Sequence, residues 1–532
     1  MQIRHLSLLP ALALLAPALP LGAAEPLALR LRAEKEVAPD TGRYHSLVSE
    51  AAWDPAKTAV VICDMWDDHY CRNAAARVAE MAPRMNEVIK KARSRGVLII
   101  HCPSGCMDRY ADSPQRQLAR RAPPVETAIP LEKWCHLDEA HEAAMPVKTE
   151  QPCDDAGELR ERVRFYTRQI ETLEIAEGDA VTDSAEAFYL MKQRGIENVL
   201  IMGVHTNMCV LGRPFGIRQL TKQGLRVALV RDMTDTMYNP AEEPFVNHFT
   251  GNDLVFEHIE RHWCPTTTSG DLLGDGVTFR FAADTRPHLV IVTSEDEYKT
   301  EETLPPFALA ELGKRFKIST VFGDAADKNN LPGAEVVADA DVLLLAVRRR
   351  NPPKAQLDLF RAHVAAGKPL VGIRTASHAF HQRDKAPPEG LDEWRDFDPA
   401  VLGGHYHDHY NAQIPTFARV APGAQAHPIL AGVPAAEFHT FGSLYKNTPL
   451  APGTTLLMTG RAEGADAPEP VAWTHTGPGG GRVFYTSLGH PDDFGIPAFR
   501  TLLRNAIFWA AGLDIPDASS QPVASEKNEP PC

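Results

Sequence analysis

Two stretches carry residues whose types and spacing could do chemistry. "VVICDMWDDHYC" puts Asp64 directly after an apolar run, and "IMGVHTNMCVLGRPFGIRQL" puts Cys209 just after another. A cysteine that opens a helix faces unpaired backbone N–H groups and a partial positive charge. Both stabilise a thiolate, the form of cysteine that attacks. A carboxylate at a neighbouring strand end could take the thiol proton as general base. The same free N–H groups could hold the oxyanion of an acyl intermediate. Other uses of Cys209 stay open here: metal ligand, half of a disulfide, or packing. Asp64 alone could equally be a helix or turn cap. The pair at matching strand ends is what favours nucleophilic chemistry.

The elements that must position this pair alternate along the chain. Residues 58–64, "TAVVICD", form a continuous apolar run, as a buried parallel strand would. Residues 74–95 have helical spacing and stop at Gly96, and "VLIIHC" reads as the next strand. Residues 184–194 read as a helix ended by Gly195, and "VLIMG" as a strand. A helix is expected from Cys209 to Gln223, closed by Gly224, with the strand "RVALVRD" after it. Strand–helix–strand repetition at this spacing predicts an α/β fold with a doubly wound parallel sheet. In such sheets ligands bind beyond the carboxyl ends of the strands, where Asp64 and Cys209 stand.

The chain has 532 residues, too many for one core. Residues 264–288 interrupt the alternation with small, polar and turn-forming side chains. The alternation restarts with strands at 288–293, 341–347, 369–374 and 482–490, and helices at 305–315, 354–366 and 498–511. The reading is therefore a first domain over 25–270, a linker over 271–285 and a second doubly wound domain over 286–513. Residues 514–532 are rich in Pro, Ser and Glu and read as a disordered tail. The formal charge is −14 without a basic block, which disfavours generic binding to nucleic acid or anionic membrane.

Residues 1–24 read as a signal peptide: Arg4, an apolar stretch, then small residues before a cut. A periplasmic or secreted protein is the expectation, with no membrane association after cleavage. Of nine cysteines, at least one must stay unpaired within the chain. Cys135 and Cys153 share a loop-rich insertion, and a disulfide between them is one hypothesis. "CPSGC", from Cys102 to Cys106, has a spacing that could serve zinc but lacks a second pair.

The two opening stretches also carry a resemblance. Residues 58–268 resemble the isochorismatase-like cysteine hydrolases, with "VVICDMWDDHYC" similar to the first-strand motif and "GVHTNMCV" to the nucleophile motif. The resemblance implies that Asp64 is the proton acceptor and Cys209 the attacking sulfur. It also implies a cis peptide at Val204–His205 and an oxyanion hole made by the N–H groups of His205 and Cys209. The family places a lysine on the strand between the motifs. Here that region reads "RFYTRQIETLEI" and Arg168 lies nearest, while Lys148 comes too early. A guanidinium can hold a thiolate but cannot shuttle a proton. The Asp-x-His zinc motif of the nicotinamidases is missing from "HCPSGCMDRY", though His69 and His101 remain available as ligands.

Residues 286–513 resemble the ThuA-like (trehalose-utilisation) domain, through "GKPLVGIRTASHAF", "VLGGHYHDHY", "PVAWTHTGPGGGRVFYTSLGH" and "FRTLLRNAIFWAAG". That implies a class I glutamine-amidotransferase-like fold and a role in carbohydrate use. The turn that carries the amidotransferase nucleophile reads Arg374-Thr375-Ala376-Ser377-His378, without cysteine. His405, His407 and His409 alternate, so a strand would put them on one face. They could bind zinc or, with Arg374, His378 and His490, line a ligand cleft; the cleft is preferred. The favoured reading is an exported cysteine hydrolase acting on a C–N (amide-type) or related bond of a small molecule, its second domain meeting a sugar-derived ligand. No cofactor or metal is expected, and a homo-oligomer stays open. The alternative is a carbohydrate-binding or carbohydrate-processing protein whose first domain is a degenerate scaffold.

Overall fold

The computed structural model describes residues 25–383, 385–465 and 467–516. The expected signal peptide, 1–24, and most of the expected tail, 514–532, lie outside the described residues. Eight strands build the first sheet: β1 (Leu27–Glu36), β2 (Tyr44–Trp53), β3 (Thr58–Cys63), β4 (Leu98–Cys102), β5 (Ala180–Val181), β6 (Asn198–Val204), β7 (Arg226–Asp235) and β8 (Thr266–Thr267). Their order is β2-β1-β8-β7-β6-β3-β4-β5. From β8 to β5 the pairs are parallel, as the alternation predicts. The antiparallel arm β1–β2 is an addition that the doubly wound reading lacks.

Every residue of β3 and β6 is buried, which is why both read as unbroken apolar runs. Two cores flank this sheet: one holds Val61, Ile100 and Ile201, and the other Val60, Ile62 and Met202. Helix Arg72–Ser94 covers the second face with Val78, Met81, Met85 and Ile89, at helical spacing. At Gly203, φ is 110° and an added Cβ would meet the Cys63 carbonyl oxygen at 2.0 Å. Only glycine lets β6 pass that close to β3 where the two strands deliver the site.

The expected linker 271–285 is largely part of the first domain. Phe279 and Phe281 pack into its core, and Asp232 accepts the Phe279 N–H at 2.9 Å and the Ser269 N–H at 2.8 Å. The turn-forming composition hid these two aromatic anchors. The helix expected from Cys209 to Gln223 is also broken. A π-helical turn at Thr206–Val210 carries the cysteine, and helix Ile217–Lys222 starts afresh beyond Pro214.

The second sheet contains β9 (His288–Ser294), β10 (Lys317–Phe322), β11 (Val342–Val347) and β12 (Leu370–Ile373). After a short pair formed by β13 (Asp408–His409) with β16 (Tyr445–Lys446) come β14 (Thr416–Val420), β15 (Phe438–Thr440), β17 (Thr455–Ala462), β18 (Glu469–Thr476) and β19 (Arg482–Thr486). The order is β10-β9-β11-β12-β19-β18-β17-β14-β15. The first five are parallel and the rest antiparallel, so this domain too is mixed rather than purely parallel.

Candidate functional site

Parallel pairing of β3 with β6 sets Cys63 opposite Gly203, so Asp64 and Val204 stand side by side at the two strand ends. Asp64 is fully buried and adopts φ 47°, a left-handed conformation uncommon for a residue with a side chain. One carboxylate oxygen accepts the Ser104 N–H at 2.8 Å. The other accepts Nε of Arg213 at 3.2 Å. Cys209 sits one turn before Arg213, near enough for the Asp64 charge to act on its thiol. Val204–His205 is a cis peptide, as the resemblance implies.

The arrangement fixes the protonation states at rest. Burial raises the Asp64 carboxyl above its ordinary range, against the opposing pull of Arg213 and of the Ser104 N–H. Burial, reinforced by the Asp64 charge, pushes the Cys209 thiol up, and Arg213 opposes this. Burial and the Asp64 charge thus both favour the thiol form of Cys209 over a preformed thiolate. His205 is held at about 3 and His69 at about 4, both chiefly by burial, so both imidazoles are neutral. Their rings lie 5.0 Å apart. Trp66 stacks on Tyr166 at 4.2 Å, and Trp134 lies 5.5 Å below the Arg213 guanidinium.

Arg168 is not the cation on Asp64. It pairs with Asp67 at 3.7 Å and with Glu171 at 2.5 Å, on a half-exposed loop. Arg213 fills the position, and its signal was present in "CVLGR". It stands four residues after Cys209, and the Arg213 N–H donates to the Cys209 carbonyl at 3.0 Å, so both share one face of the turn. The cysteines also differ from expectation: all eight described ones are free. Cys135 donates to Gln219 at 3.5 Å. Cys153 instead sits with Cys71 and Asp155, their ligand atoms all within 4.8 Å of one another.

In the second domain, Arg374 follows β12 in a left-handed conformation, φ 50°, and its side chain is buried. Its guanidinium lies between the rings of Tyr298, at 4.3 Å, and Tyr445, at 4.5 Å. The aromatic contacts continue from Tyr445 to Tyr406 at 4.6 Å and from Tyr406 to His378 at 4.5 Å. His490 joins through Tyr298 at 6.1 Å, and His409 through a 3.1 Å bond to the Tyr406 hydroxyl. The six expected cleft residues are not equal, however. Arg374, His378, His409 and His490 meet through these tyrosines, whereas His405 and His407 stay exposed and contact each other at 5.7 Å. The three alternating imidazoles do not gather as ligands, because only His409 lies within the short strand β13. The tyrosines come from distant segments, and sequence reasoning missed them.

Residues 289–510 match the family model ThuA, described as "Trehalose utilisation", so the second domain is a ThuA domain. Among solved structures, a putative ThuA-like protein from Bacteroides uniformis is 18% identical with TM-score 0.33, over 44% of this chain and 95% of that one. A cysteine hydrolase from Pseudomonas syringae is 15% identical with TM-score 0.26, over 42% of this chain and 92% of that one. N-carbamoylsarcosine amidase from Thermoplasma acidophilum is 13% identical with TM-score 0.22, over 40% of this chain and 96% of that one. No curated protein matches the chain. These neighbours fall into the two classes that the sequence resembles. Likeness this distant carries no weight on activity, and the chemistry of the first domain rests on its own residues.

Proposed function

We propose that the first domain is a cysteine hydrolase that cleaves the C–N bond of a small amide-type substrate. The observation that carries this is a fully buried Asp64 carboxyl held by Arg213 at 3.2 Å, with Cys209 on the same turn as that arginine. As the sulfur bonds to the substrate carbonyl carbon, its proton passes to Asp64. The tetrahedral oxyanion is met by the N–H groups of His205 and Cys209. The C–N bond then breaks, and the leaving nitrogen takes the proton from Asp64. Water, deprotonated by the same carboxylate, hydrolyses the thioester and restores the thiol. Arg213 moves no proton, since guanidinium stays charged; it keeps the carboxylate ionised and offsets charge on sulfur.

The ThuA domain supplies a carbohydrate-related ligand site at the carboxyl ends of β11 and β12, and the protein works in the periplasm or outside the cell. The aromatic contacts running from His490 to His378 support the first statement, and the apolar, Arg-led start of the sequence supports the second. The test is turnover of simple amides by the full chain. Cys209→Ala and Asp64→Ala should each abolish it while circular dichroism stays native. Full turnover by Cys209→Ala would remove the hydrolase reading.

A further inference from the structure

Arg374 is the second-largest of the fully buried side chains, at 1% exposure, yet it has no carboxylate partner among the described residues. Its Nη1 donates to the Ser487 carbonyl, and its Nη2 to the Tyr298 hydroxyl at 3.1 Å and to Ser443 at 3.4 Å. Its Nε is buried and unpaired. The carboxylate that acts on it through space, Asp493, is already committed to the N–H groups of Phe441, Gly489 and His490. Gly442 makes room for this cation, since a Cβ there would stand 2.5 Å from Nη2.

The next strand end repeats the pattern. "VRRRN" follows β11, and Arg348 and Arg350 are matched by Glu297 and Asp296. Arg349 between them has no carboxylate partner among the described residues: its Nη1 is buried and unpaired there, and its backbone is left-handed at φ 50°. The Arg349 N–H donates to the His378 carbonyl at 2.9 Å, which fixes it beside the Arg374 turn. His378 is held neutral by burial and then by the charges of Arg349, Arg348, His381 and Arg374, so positive groups converge on it. Arg383 adds a further positive charge beside Arg349. Burying unmatched guanidinium groups is costly, and two at adjacent strand ends call for an anion.

We propose that the ThuA domain binds a sugar-sized ligand through a negatively charged group, a carboxylate or a phosphate, held by Arg349 and Arg374. The inference rests on reading this strand-end cleft as the domain's ligand site, and adds the charge of what enters it. The half-buried rings of Tyr298 and Tyr406 offer faces to the uncharged remainder. Guanidinium forks suit both anions, because each presents paired oxygens.

The experiment titrates the full chain with glucuronate, glucose 6-phosphate and glucose by calorimetry. At least one of the two anions should bind about tenfold or more tightly than glucose, a difference of ~1.4 kcal/mol. Whichever anion leads identifies the group as carboxylate or phosphate. Arg349→Gln should erase the preference with an unchanged circular dichroism spectrum. Arg374→Gln should do the same, but it sits in the core, so the half-buried Arg349 is the deciding variant. Glucose binding as tightly as both anions, or a preference that survives Arg349→Gln, would overturn the anion site and leave the sugar cleft standing. Binding of none of the three would overturn the cleft and the proposal with it.

Discussion

Removing the Arg213 charge separates the roles of the two arginines that compete for the site. Asp64 is fully buried, while the Arg213 side chain keeps 26% exposure, and their contact is 3.2 Å. Opposite charges about 4 Å apart interact by roughly 4 kcal/mol at an effective dielectric of ~20. Partial exposure of Arg213 reduces this, and we take about 2 kcal/mol as the loss in Arg213→Met. The sign with pH follows from linkage. The Asp64 carboxyl is already raised by burial, and loss of the cation raises it further. The folded variant then holds a proton that the unfolded chain has released, so its stability falls as pH rises above the ordinary carboxyl range. Urea unfolding should show little difference from wild type at pH 4 and a deficit of about 2 kcal/mol at pH 8. The rate of Cys209 alkylation by iodoacetamide, followed by mass spectrometry, should drop and its acid limb should move to higher pH. Arg168→Met should do neither, because its ion pairs are half-exposed and worth under ~1 kcal/mol. Arg213→Lys should restore most of the wild-type behaviour. A collapse of alkylation in Arg168→Met, with Arg213→Met unchanged, would refute the reasoning.

Two further outcomes test the structure away from the thiol. Asp398 is buried with one oxygen unpaired, and its carboxyl is raised to about 7 by burial, against a single N–H from Tyr406 at 2.7 Å. Stability from this group is greatest in acid and declines as pH rises through about 7, so Asp398→Asn should raise the melting temperature at pH 8.5 relative to wild type and change little at pH 4; a wild-type-like profile would show that Asp398 ionises freely. Non-reducing peptide mapping of protein treated with oxidised glutathione should recover Cys71 linked to Cys153, since their sulfurs and Asp155 cluster within 4.8 Å; a Cys135–Cys153 peptide would contradict the fold of the insertion.

What the sequence made legible was whatever depends on local pattern. β3 and β6 are buried on both faces, so they appear as unbroken apolar runs, and the parallel core of each sheet follows from them. Asp64 and Cys209 were visible because each sits directly beyond such a run. The β1–β2 arm was not, because it buries only Leu27, Leu29, His45 and Trp53 and otherwise resembles any polar surface stretch. Arg168 drew attention by its position between the motifs, a rule borrowed from resemblance. Arg213 needed only the helical spacing from Cys209, but the glycine and proline around it, "LGRPFG", read as a helix breaker rather than a scaffold. The break in fact serves the site. Cys209 rides on a π-helical turn that places Arg213 back over Asp64 before Pro214 ends it. The cation therefore comes from the same segment as the nucleophile, and not from a separate strand. Any variant that lengthens this turn into a regular helix should move the thiol and the guanidinium off the carboxylate together, which makes the turn, more than either side chain, the unit that assembles the site.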